Sequence, residues 1–106
     1  MVDLGYAVER LRNTVVALAG WSGDVRERLR SAHQSHLSGL VHHLPEDLQR
    51  ELLAIDQEFT KGQGLTEEEA RTLVGKIVYF YETVVARRVA ENIIEDDQRR
   101  RRPTEN

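Results

Sequence analysis

An all-α fold is expected from this sequence on three grounds. Apolar residues recur at three- and four-residue spacing in four segments, no stretch alternates with period two over a useful length, and glycine, proline and capping residues fall between the segments. A chain of 106 residues suits one compact domain. The expected architecture is a four-helix bundle with a long C-terminal helix, dimeric, spanning residues 1–97 and followed by a disordered Arg-rich tail over 98–106.

Asp3 is a good N-cap for the first helix, whose stripe of Leu4, Ala7, Val8, Leu11, Val15 and Leu18 runs to Gly20. Gly20 can end that helix in a left-handed conformation, and Gly20 to Gly23 reads as a turn. Ser22 or Asp24 can cap the second helix, and its stripe of Val25, Leu29, Ala32, His36 and Leu40 continues toward Leu44. Pro45 then opens a third helix, because proline lacks an amide hydrogen and fits a first turn, where Glu46 and Asp47 also suit the positive helix end. Leu48, Leu52, Ile55 and Phe59 share one face of this helix until Lys61-Gly62-Gln63-Gly64 breaks it.

The fourth helix begins with the best local signature in the chain. Thr66 and Glu69 have capping-box spacing, with Leu65 and Ala70 placed for a weak hydrophobic staple. From about Glu67 to Asp97 only Gly75 interrupts the pattern, so the helix would be roughly 45 Å long against roughly 20–30 Å for the others. It must overshoot its neighbours or kink.

One face of this helix, Ala70, Leu73, Val74, Ile77, Phe80, Tyr81 and Val84, is apolar and suits a core. A second stripe of Val78, Val85, Val89 and Ile93 continues down the flank beside Ala86, Ala90 and Ile94. Two readings compete for it: contact with the first or second helix of the same chain, or a contact between subunits. The second is preferred, with Val78, Val85, Val89, Ile93 and Ile94 as the interface, because a helix longer than its bundle needs another partner. Leu53 and Val16, off their helix faces, and Trp21, in a loop, add weak support.

Charge is unevenly distributed. Residues 1–97 carry 11 basic and 17 acidic side chains, whereas 98–106 carry four Arg and one Glu. An acidic body disfavours a nucleic-acid-coating surface and favours a basic protein partner, leaving Arg99, Arg100, Arg101 and Arg102 as a possible nucleic-acid tether or a solvated end. Four arginines neutralise few phosphates, although a dimer would double their number. Acids at a helix C-terminus oppose its dipole, so Glu95, Asp96 and Asp97 are expected to pair with Arg99 to Arg102 by folding back of the tail, or with a partner's arginines.

The four histidines, His33, His36, His42 and His43, lie close together in sequence. His33 and His36 are one turn apart and could bind one metal, with Asp56 or Glu58 completing a site. Against this, no recurring metal motif is present, and a packed core histidine explains His36 as well. A histidine in an apolar seam would also make that contact sensitive to protonation.

The absence of cysteine removes disulfide, thiolate-metal and thiol chemistry. No run approaches the roughly 18 continuous apolar residues of a membrane span, and the charged residues among the first 20 do not suit a secretory leader. A cytoplasmic location is expected. No serine sits in a nucleophile elbow, and neither Gly-rich nucleotide fingerprint is present, so catalytic residues and cofactors are not expected. The sequence therefore favours a non-catalytic interaction protein of regulatory or adaptor type. A nucleic-acid-associated accessory factor and a His-based metal-binding protein are the alternatives.

Overall fold

The computed structural model describes residues 2–20, 24–60 and 65–101. These form four α-helices, α1 (Leu4–Gly20), α2 (Val25–Ala32), α3 (Glu46–Thr60) and α4 (Glu67–Arg101), and contain no strand. None of the helices is long and apolar enough to cross a membrane.

Local chemistry sets most helix starts. The Asp3 carboxylate accepts from the Tyr6 amide at 3.0 Å, and the Asp24 carboxylate accepts from the Arg26 amide at 2.8 Å, each satisfying an amide that the first turn leaves free. The Arg26 guanidinium also donates to Asp24, holding its carboxyl down at about 2. Ser22, the other candidate cap, lies outside the described residues, as do Trp21 and the 61–64 break. The capping box forms in both directions: the Thr66 amide donates to Glu69 at 2.9 Å and the Glu69 amide to the Thr66 hydroxyl at 3.1 Å. These bonds lower the Glu69 pKa.

The second segment departs from the expected single helix. After Ala32 the chain makes a π-helical turn, His33–Leu37, which closes with the Ser38 amide donating to the His33 carbonyl at 3.1 Å. Gly39 then adopts φ 79°, and Leu40–His43 form a 3-10 turn before Leu44 and Pro45. The left-handed position expected at Gly20 is found at Gly39 instead, the one residue with positive φ among those described. Ser38 and Gly39 therefore belong to a break in the chain and not to a continuous second helix.

Gly39 and Gly75 should respond oppositely to alanine. A Cβ would meet nothing within 4 Å at either position, so backbone preference alone decides the sign. Gly39→Ala is expected to cost about 1–2 kcal/mol, because a Cβ disfavours the left-handed region. Gly75→Ala, inside α4, should stabilise by about 0.5–1 kcal/mol. Urea unfolding of the two variants beside the unmodified chain measures both, and equal signs would contradict these backbone assignments.

All four helices and the turns after α2 supply one core. Leu11 of α1, Leu29 of α2, Leu37, Leu40 and Leu44 of the connecting turns, Leu52 of α3 and Leu73, Ile77, Phe80 and Val84 of α4 are buried. α4 packs against α1, α2 and α3 and so forms the spine of the assembly. Thr14 is buried among apolar side chains without leaving its hydroxyl unpaired, since that hydroxyl donates to the Arg10 carbonyl at 2.9 Å. The N-terminus is pinned across the fold: the Asp3 amide donates to the His43 carbonyl at 2.8 Å.

α4 overshoots without breaking at Gly75. Its 35 residues make a rod of about 52 Å at 1.5 Å per residue. Val84 is its last buried side chain, Arg87 its last half-buried one, and residues 88–100 are exposed throughout. The helix continues to Arg101, so residues 98–101, expected in a disordered tail, are helical, while 102–106 lie outside the described residues.

Candidate functional site

The core ends at a clamp. Arg87 reaches the Asp47 carboxylate at the start of α3 with two guanidinium nitrogens, at 2.5 and 3.3 Å, which lowers the Asp47 pKa and raises that of Arg87. Just beyond this pair the Arg88 guanidinium still lies over Gly5 of α1, and from Val89 onward α4 is exposed along its described length.

The five residues expected at an interface divide along this line. Val78 and Val85 are half-buried, whereas Val89, Ile93 and Ile94 are 50%, 64% and 55% exposed. The chain therefore covers part of the upper stripe itself and leaves the lower part open. Tyr79, at 70% exposure, belongs to the same outward side. The sequence reading missed it because tyrosine is also a common core residue, although its place across the helix from Ile77 on a helical projection was a usable signal. Beside it, Ala54, Ile55, Gly75 and Phe80 line an open groove of about 450 Å³ between α3 and α4.

The basic end is partly neutralised within its own helix. Arg99 pairs with Glu95 at 3.5 Å and Arg100 with Asp96 at 3.1 Å, both one turn apart, so the expected pairing of acids with the Arg run occurs without folding back. Both cations thus have carboxylates one turn away that would compete with phosphate. Arg101 is the last described residue, and Arg102 lies outside the described range.

The histidines disperse. His33 Nε2 lies 3.0 Å from Asp56 on α3, and its ring stacks on Phe59 at 4.2 Å between centroids. His43 stacks on Tyr6 at 4.4 Å, His42 is exposed, and His36 is half-buried with Nδ1 enclosed and lacking a hydrogen-bond partner. The π-helical turn explains why His36 misses the centre of the stripe. A π turn accommodates an extra residue, so the apolar sequence Val25, Leu29, Ala32 continues at Leu37, which is buried. Asp56, named with Glu58 as a carboxylate near His33, does meet it, but Glu58 pairs with Lys76 at 3.2 Å. Among the described residues no three His, Cys, Asp or Glu side chains converge in a way that could hold a metal ion. The geometry favours a tie between the π-helical turn and α3, reinforced by Arg10, which donates from α1 to the Ser35 carbonyl at 2.9 Å.

No protein-family model matches the chain, and neither a curated protein nor a solved structure is significantly similar to it.

Proposed function

We propose that the protein is a non-catalytic interaction protein of regulatory or adaptor type, a four-helix bundle that dimerises through α4 and offers an acidic surface to a basic protein partner. The observation that carries this reading is the projecting end of α4, where Val89, Ile93 and Ile94 are each at least half exposed and no other described residue covers them. Isolated exposed apolar residues need no explanation, but three within six residues on a solvent-surrounded rod form a patch that water penalises. Covering them on two copies would contribute on the order of 5–10 kcal/mol gross, much of it offset by the entropy of association.

The acidic surface has support in Glu51, Glu68 and Glu91, all exposed, and in the excess of acids over bases in residues 1–97. A field of one sign steers partners of the other and disfavours polyanions.

Val89→Glu tests the pairing. The residue is half exposed, so the fold of each copy should persist, and the two carboxylates introduced by symmetry should shift light-scattering mass toward 12.2 kDa. A variant that stays at the mass of the unmodified protein would remove α4 from the contact. Val89 is a cleaner target than Val85, whose half-buried side chain also packs within its own subunit.

A further inference from the structure

The outward side of α4 carries a coiled-coil register that packing within one copy does not use. Glu82, Ala86, Val89, Ile93, Asp96 and Arg100 follow one another at alternating intervals of four and three residues, the spacing that keeps a seam facing a second helix. All six are exposed, and they lie opposite the buried row of Ile77, Phe80 and Val84.

We propose that this seam receives a second copy of the chain and that the two α4 helices run antiparallel about a twofold axis beside Glu91. The inference rests on the dimeric reading above and adds its direction and register. In this arrangement Val89 faces the partner's Ile93, Ala86 faces the partner's Asp96, and Glu82 faces the partner's Arg100. Symmetry makes each of these contacts twice. Every projecting segment, residues 88–100, then lies along residues 82–94 of the other α4, so each copy covers the Val89 and Ile93 of the other and leaves Ile94 beside the seam.

Charge decides the direction. A parallel, in-register pair would set Glu82, Asp96 and Arg100 each against its own duplicate, three like-charge layers on one seam. The antiparallel pair has none of these and gains two Glu–Arg contacts. Arg100 already pairs with Asp96 at 3.1 Å on its own helix. It would therefore sit between that acid and the partner's Glu82, bridging the two. The apolar centre is short, with valine, isoleucine and alanine from each copy, which makes this a reversible contact whose orientation depends on its charged ends.

Charge exchange in the full-length chain, followed by sedimentation, tests the register. Glu82→Arg and Arg100→Glu alone should each raise the dissociation constant about tenfold, and the double variant should recover most of that loss. In a parallel dimer Glu82→Arg only replaces one like-charge layer by another, so an unchanged constant, or a double variant no better than the singles, would overturn the antiparallel register. The cysteine-free sequence permits a second readout. Under oxidation Glu82→Cys should not link to itself but should link to Arg100→Cys when the two are mixed. Self-linking of Glu82→Cys would leave the dimer standing and overturn its direction, whereas a monomer at every concentration would overturn both.

Discussion

Replacing Phe80 by alanine is expected to lower the unfolding free energy by about 3–5 kcal/mol. Phe80 is 2% exposed, sits on the helix that touches the other three, and is among the largest fully enclosed side chains of the core. Its removal deletes an aromatic ring's worth of buried surface and leaves a void that neighbours such as Ile77 and Val84, fixed on the same rigid helix, can fill only in part. Domains of this size typically have about 5–15 kcal/mol of stability in total, so the variant should unfold at much lower urea while its denaturant slope stays near that of the unmodified chain. A loss below about 1 kcal/mol would place Phe80 at the margin of the core.

Truncation after Ala90 should have the opposite profile. Every buried side chain of α4 lies at or before Val84, and the Arg87 clamp to Asp47 is retained, so among the described residues removing 91–106 takes away no core contact. At protein concentrations too low for dimers, the unfolding free energy is expected to change by less than about 1 kcal/mol. The truncated chain should nevertheless fail to associate, because Ile93 and Ile94 are gone, and any concentration dependence of its melting temperature should vanish with them. An unfolded truncated chain would mean that the projecting end supports the body directly.

These two variants separate what the chain uses to fold from what it leaves outside, and the sequence reveals the first more fully than the second. The starts of α1, α2 and α4 are legible because capping acts over two or three residues: Asp3 to Tyr6, Asp24 to Arg26, and Thr66 to Glu69. The inner face of α4 is legible because a regular helix preserves its period over many turns, and Ala70, Leu73, Ile77, Phe80 and Val84 are all buried as the spacing requires.

The stretch from His33 to Leu44 is not legible in the same way. Leu40 and Leu44 continue the helical spacing of the second segment, yet Gly39 turns the chain between them and the intervening π-helical turn shifts burial from His36 to Leu37. A periodic projection cannot register a local change of pitch. The His33–Asp56 contact spans 23 residues, so its partner could be named only as one of two carboxylates, and Phe59 beneath the ring was seen solely as a core residue. The open apolar end of α4 was legible as an excess of apolar residues but not in its exact face. Spacing alone included Val78 and Val85, which their own subunit half covers, and omitted Tyr79, Glu82 and Arg100, whose exposure emerges only once α4 is placed on its neighbours.

Sedimentation equilibrium of the unmodified chain, across concentrations from about 1 to about 100 μM, asks most directly whether the exposed end of α4 is covered by another copy. The weight-average mass is expected to rise with concentration toward twice 12.2 kDa and no further, as a closed twofold contact requires. A mass fixed at 12.2 kDa across the whole range, or one that climbs past the dimer without limit, would contradict it.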